Sequence, residues 1–194
     1  MSRRIITALL LSALAPAAGA VEYGNVLADK STITFNSRQM GVPIIGRFGR
    51  FSAQVAFDPA KADAARISVT VDAGSIDAGS QEANDEVVGK NWFNIRMFPI
   101  ATFTASRVRA LGGGRFEAAG SLTIKGKAQP ITVPFTYMKE GANAVFDGGF
   151  TLKRIEFAIG EGVWSDIDSV ANEVQVSFHI AAAPNNSAAA AKGK

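Results

Sequence analysis

The sequence predicts an all-β fold, a soluble eight-stranded antiparallel barrel with one short helix. Three observations predict it. Apolar and polar residues alternate with period two along most of the chain, the mark of half-buried strands. The alternating runs number about eight and are joined mostly by short turns, so neighbours in sequence should pair antiparallel. The chain also has no cysteine, and 13 Phe and 2 Trp supply the large apolar side chains, so stability must come from burial. Eight strands in one domain can close on themselves, which removes exposed edges.

Residues 1–20 read as a secretory signal. Arg3 and Arg4 form a positive start, Ile5 to Ala15 are mostly apolar, and Ala18-Gly19-Ala20 is a small-residue cleavage site. The apolar run is shorter than the roughly 20 residues that span a bilayer. No cysteine follows it, which argues against a lipid-modified N-terminus. Cleavage after Ala20 by a general secretory route would leave 174 residues starting at Val21, and would place the protein in the periplasm. Removing Arg3 and Arg4 from the 20 basic residues leaves 18 against 17 acidic ones, a net charge of +1. Such a chain has no strong field to attract nucleic acid.

The strands follow in order. Ile33 and Phe35 share one face of the first. Phe51, Ala53, Val55 and Phe57 share a face of the next, which Asp58-Pro59 ends because proline cannot continue a ladder. Ile67, Val69 and Val71 precede a turn at Ala73-Gly74. Ser80 to Phe98 is the long interruption. It opens as a short helix with Ser80 as N-cap and closes as an aromatic cluster around Trp92, Phe93 and Phe98. Ala101, Phe103 and Ala105 then share a face. Gly112-Gly113-Gly114 turns the chain into Phe116, Ala118, Leu122 and Ile124, and Lys125-Gly126-Lys127 into Ile131, Val133, Phe135 and Tyr137. Two further runs carry Phe146, Gly148, Phe150 and Leu152, then Val174, Val176, Phe178 and Ile180. From Pro184 to Lys194 the chain has no aromatic or β-branched residue, which predicts a mobile tail around a domain spanning 21–183. The inward positions include the small residues Ala53, Ala101, Ala105, Ala118 and Gly148. Periodicity alone leaves open whether they make room for a ligand or are filled by facing phenylalanines.

Catalytic chemistry has little support in the residues. The one histidine, His179, falls on the outward face, no cysteine is present, and no nucleophile elbow occurs. The usual zinc and copper ligand sets therefore cannot be assembled, and Asp166-Ile167-Asp168 reads as a solvated loop. Gly112-Gly113-Gly114 precedes a strand rather than a helix and lacks a nucleotide-loop ending. The most distinctive stretch is Arg38 to Phe51. Its apolar residues Met40, Val42, Ile44 and Ile45 are broken by Gly41, Pro43 and Gly46, and Arg38, Arg47 and Arg50 surround them. Two readings stand: a flexible apolar lip ringed by cations, suited to an amphiphile, or a kinked strand with solvated arginines. Arg154 falls in phase with the inward face, where an unpaired charge would be costly, so it is a candidate for a ligand head group or gate.

The chain resembles the YceI-like family, exported lipocalin-like barrels linked to binding of polyisoprenoid lipids. The segments that carry the resemblance include Ser31-Thr-Ile-Thr-Phe35, Gln39-Met-Gly-Val42, Phe57-Asp-Pro59 and Ser75-Ile-Asp-Ala-Gly79. Gly46-Arg-Phe48, Asn91-Trp-Phe-Asn94, Phe98-Pro-Ile-Ala-Thr-Phe103, Gly120 to Gly126 and Leu152-Lys-Arg-Ile-Glu-Phe-Ala-Ile-Gly160 complete the set. The chain departs from it at Gln39, where relatives commonly carry His, and at Asn84 to Val88.

The resemblance implies an apolar tunnel holding an isoprenoid chain such as a quinone tail or a polyprenyl phosphate; from the residues, no cofactor and no catalysis are expected. Alternation and the family picture together place Phe35, Met40, Val42, Phe51, Trp92, Phe93, Phe98, Phe103, Phe135, Phe150 and Leu152 on its wall or lip. Arg38, Arg47 and Arg154 become candidates for the head group. Two rival readings of the residues remain. One is an enzyme acting on an amphiphile through Asp85 or Glu156. The other is a filled barrel that docks on a membrane redox partner.

Overall fold

The computed structural model describes residues 21–185. The expected signal segment and the tail beyond Asn185 lie outside them. Eleven strand segments form one antiparallel sheet: β1 (Tyr23–Val26), β2 (Thr32–Gln39), β3 (Val42–Phe48), β4 (Phe51–Ala56), β5 (Arg66–Asp72), β6 (Ile76–Asp77), β7 (Ile100–Gly112), β8 (Arg115–Ile124), β9 (Lys127–Glu140), β10 (Asn143–Lys153) and β11 (Glu173–Pro184). One helix, α1 (Gln81–Val87), stands beside them.

Eleven segments make eight staves, because three long strands are each broken once. β1 and β2 lie end to end along the same edge of β11, separated by a 3-10 turn at Ala28–Lys30. β3 and β4 continue one another across Gly49-Arg50, and β5 and β6 across a second 3-10 turn at Ala73–Ser75. The last two breaks sit side by side. The Gly49 amide donates to the Ser75 carbonyl at 2.9 Å, the Ser75 hydroxyl donates to the Asp72 carbonyl at 2.7 Å, and the Arg50 guanidinium reaches the Asp72 carboxylate at 2.8 Å. β3 pairs with β2 and β6, while β4 pairs with β5. β1 laces the remaining seam: Tyr23 and Phe57 exchange backbone hydrogen bonds at 3.0 and 3.1 Å. The sheet therefore closes into the eight-stave lipocalin-like barrel.

The turns follow from local chemistry. Ser80 caps α1 by accepting the Ala83 amide at 3.1 Å, as its sequence position predicts. Lys125 and Gly126, both at positive φ, turn β8 into β9. The Arg38 to Phe51 stretch is a regular strand pair, not an irregular lip. Proline is tolerated at Pro43 because β3 is paired at that point only with β2, which leaves its other edge free. Gly46 is needed because a Cβ there would collide with the Phe35 ring and the Asp77 carbonyl. At the other terminus β11 runs through Pro184, and the Asn185 amide still donates to the Glu22 carbonyl at 2.8 Å.

Strand direction defines two ends. The β4–β5, β7–β8 and β9–β10 connections and the β1–β11 pair lie at one. The β2–β3 and β8–β9 turns, α1, residues 88–98 and the loop from Arg154 to Asn172 lie at the other. The first end is sealed by aromatic rings. Phe57, wholly buried, packs edge-on against Phe116 and Phe146 at 5.1 and 5.2 Å between centroids, and Phe116 stacks on Phe135 at 5.5 Å. Gly148 belongs to this floor. A Cβ there would meet the Phe178 ring and the Pro134 carbonyl at 2.5 Å, so this small inward residue admits aromatic rings rather than a ligand. Tyr137 closes the cluster. Burial, and then a hydrogen bond with the Tyr23 hydroxyl, push its pKa up to about 12.

Candidate functional site

Above the aromatic floor the barrel is hollow. A cavity of about 940 Å³ runs between the staves, at the upper end of the ~300–1,000 Å³ range of small-molecule sites. Its walls are the inward faces of the alternating strands: Phe35 of β2, Val55 of β4, Val69 of β5, Phe103 of β7, Phe150 of β10 and Val176 of β11. All six keep some accessible surface although they point inward, because they face space rather than one another. Ala53, Ala101 and Ala118 line the cavity too and leave room there, whereas Ala105 packs against the floor cluster. Phe135 and Phe146 contribute to both wall and floor.

The mouth lies where solvent-exposed residues join the lining: Arg38, Gln39, Pro43 and Ile45 of the β2–β3 hairpin, and Ser80, Glu82 and Glu86 beside and on α1. The third side of the mouth is the loop at 160–171. It is tied to α1 by the Trp164 indole N–H, which donates to the Glu86 carboxylate at 2.7 Å. It is tied to the hairpin by the Met40 amide, which donates to the Ser169 carbonyl at 2.8 Å, and by a bridge between Gln39 and Val170.

Arg154 holds that loop in place. Its side chain is 1% exposed, and its donors end on backbone carbonyls. Nε donates to Ala171 at 3.1 Å, Nη1 to Ile159 and Gly160 at 2.9 and 3.0 Å, and Nη2 to Val170 at 2.7 Å and Asp166 at 3.5 Å. A guanidinium has five N–H groups, and all are engaged. The ring of Trp92 lies 5.9 Å from the guanidinium carbon. Burial pushes the pKa of Arg154 down from its ordinary value, opposed by the charge of Asp166. The expectation that Arg154 meets a ligand head group is therefore corrected: it lines the cavity, but no N–H is free for an anion. Gly160, at φ +75°, is required because a Cβ there would run into the Arg154 Nη1.

Two more contacts brace the loop. Lys125, a buried lysine, donates from Nζ to the Ala158 carbonyl at 2.6 Å and to Glu161 at 2.7 Å. The hydrogen bond from Lys125 holds the Glu161 carboxyl below the usual carboxylate range. The Ser169 hydroxyl, donating at 2.6 Å, does the same for Asp166, with help from the Asp168 amide.

Of the residues expected on the wall or lip, Phe35, Trp92, Phe93, Phe103, Phe135, Phe150 and Leu152 line the cavity. Four do not. Phe51 has the inward parity of Ala53 but packs into the floor cluster. Phe98 is turned away by two bonds from the 97 and 98 amides to the Asn94 carbonyl, and its ring covers Gly126. Met40 lies in the β2–β3 turn and Val42 directly after it, exposed beside the mouth. Of the three candidate arginines, Arg38 alone sits at the mouth with side-chain donors to spare, its one bond being a 3.4 Å contact to the Gly41 carbonyl. Arg47 points away and pairs with Asp77 at 3.3 Å. Sequence reasoning missed Trp164, Glu86 and Val170 at the mouth, which lie on a loop and a short helix where no strand periodicity could mark them. Asp85 and Glu156, the carboxylates a catalytic reading would need, are exposed and outside the lining. His179 is half-buried on the outer face, where its Nδ1 meets Asp147 at 2.6 Å.

Comparison with known proteins places this geometry. Residues 25–182 match the family model described as the YceI-like domain. A UPF0312 protein of Shewanella baltica is 30% identical over 191 residues, covering 92% of this chain and 96% of its own. Among solved structures, BcnA of Burkholderia cenocepacia is 45% identical with a TM-score of 0.79, covering 81% of this chain and 99% of its own. A polyisoprenoid-binding domain from Saccharophagus degradans shares the fold at 14% identity, with a TM-score of 0.66 over 86% of this chain and 99% of its own.

Proposed function

The chain belongs to the YceI-like family, and on that premise we propose that it binds and carries a long-chain isoprenoid lipid in the periplasm. The observation that supports this reading is the cavity: about 940 Å³, lined by apolar side chains, closed by aromatic rings at one end and reaching solvent at the other. A hydrocarbon tail fits such a site with its terminus toward the floor and its polar head at the mouth. Burial stabilises by roughly 25 cal/mol per Å² of apolar surface, so a few hundred Å² of tail gives several kcal/mol before ordering costs, enough for micromolar binding. Arg38 is the donor placed to meet the head, which suits a polyprenyl phosphate or the carbonyl of an isoprenoid quinone. A carrier of a quinone would hand it to a membrane redox partner. The role is binding rather than catalysis, since the carboxylates that chemistry would need stand in solvent.

The test is native mass spectrometry with lipid extraction on protein purified from its own envelope. Co-purifying isoprenoid is the expected result, together with its loss in Val69→Trp, which fills the cavity from a wall position that already faces space. Repeated recovery of empty wild-type protein from that source would overturn the reading.

A further inference from the structure

Eleven large apolar side chains are exposed among the described residues, and their distribution is lopsided. Val21, Leu111 and Met138 belong to the sealed end, and the other eight to the end with the mouth. Five of those eight border the mouth on two segments. Met40, Val42 and Ile45, on the β2–β3 hairpin, are 79%, 60% and 70% exposed, and Val163 and Ile167, on the 160–171 loop, are 81% and 55% exposed. The two segments are bound together by the bond from the Met40 amide to the Ser169 carbonyl, so these side chains form one rim rather than scattered positions. A rim of this kind marks an interaction surface.

What covers the rim is constrained by the opening it surrounds. A tail long enough to use the cavity is poorly soluble and resides in a bilayer, and it must pass through this mouth. We propose that the rim docks on a lipid bilayer surface, with Met40, Val42, Ile45, Val163 and Ile167 entering the interface, so that the tail moves between bilayer and cavity without crossing water. This rests on the isoprenoid reading above and adds the surface and the partner. Charges around the mouth have mixed sign with acids in excess, Arg38 and Lys90 against Glu82, Asp85, Glu86, Glu161, Asp166 and Asp168, so no positive field selects anionic lipid. Docking is carried by apolar burial, which salt does not screen.

The experiment is flotation of the chain from Val21 onward, which contains every strand among the described residues, with vesicles of phosphatidylcholine at low and high salt. Wild type is expected to float with the vesicles under both conditions. The triple variant Met40→Ser, Val163→Ser, Ile167→Ser alters exposed positions outside the cavity lining, and its bound fraction should fall by at least about tenfold. In solution, without vesicles, its capture of the short isoprenoid alcohol geranylgeraniol should match wild type. The proposal is overturned if wild type does not float, if the variant floats equally well, or if binding requires anionic lipid and disappears in high salt. Flotation by a wild type that captures no isoprenoid would sustain the docking surface and remove the carrier reading instead.

Discussion

Arg154 shows how one side chain can organise a site without touching what binds there. A buried guanidinium is tolerable because every N–H meets a carbonyl oxygen. Removing it leaves several carbonyls unpaired around a hole. Arg154→Leu is therefore expected to lower stability by about 3–5 kcal/mol in urea unfolding, the range for breaking a buried charged network. Arg154→Lys should recover only part of this, since one ammonium cannot reach acceptors on five residues. A loss below about 1 kcal/mol in the Leu variant would show that the cage matters little. The position of Arg154 was legible in the sequence, because alternation puts it in phase with Leu152. Its role was not, because the acceptors are main-chain atoms of a loop, which carry no residue signature.

At the scale of elements, the 160–171 loop is held partly by groups that titrate. The carboxyls of Glu161 and Asp166 are depressed by their hydrogen bonds to Lys125 and Ser169. A depressed carboxylate contributes stability that is fully present above its unfolded-state pKa and is lost as pH falls through the folded one. The loop should thus be tight at neutral pH and loosen below the usual carboxylate range, near pH 4 and under. Hydrogen exchange across 160–171 should accelerate there before the strand amides respond. Glu161→Gln should weaken that acid response, and exchange independent of pH, after correction for the intrinsic rate, would count against the idea. Elements also show where sequence reading works. Runs such as Val174, Val176, Phe178, Ile180 alternate cleanly because one face meets the interior and the other water. β3 was obscured because Gly41, Pro43 and Gly46 look like breakers, yet each has a use: a turn at φ +80°, a free edge, and a close approach to Phe35.

For the whole molecule, eight staves could be counted from the sequence, but the breaks that divide three of them could not. Two of those breaks are 3-10 turns too short to signal themselves. Whether the barrel is hollow or filled could not be read either, since inward phenylalanines look alike wherever they sit. The structure separates them along the axis: Phe57, Phe116 and Phe146 interlock at one end, whereas Phe35, Phe103 and Phe150 face the cavity. The sealed end has its own pH limit. Tyr137 resists ionisation until about pH 12, whereas an unfolded tyrosine ionises near 10. The contribution of Tyr137 to stability should therefore be full below pH 10 and fall between 10 and 12, and Tyr137→Phe should flatten that fall in unfolding measurements. The same floor fixes how deep a tail can go. Phe146 is 5% exposed and belongs to both floor and lining, so shortening it lengthens the hollow instead of opening a separate void. Phe146→Ala should cost about 3–5 kcal/mol, in line with other large-to-small core changes. It should also shift the preferred isoprenoid alcohol to longer chains in competition read by native mass spectrometry. Wild type is expected to discriminate by length because extra units must remain outside in water, losing roughly 0.8 kcal/mol for each CH₂ left unburied. An unchanged length preference in a folded Phe146→Ala protein would mean that the aromatic floor is not what stops the chain.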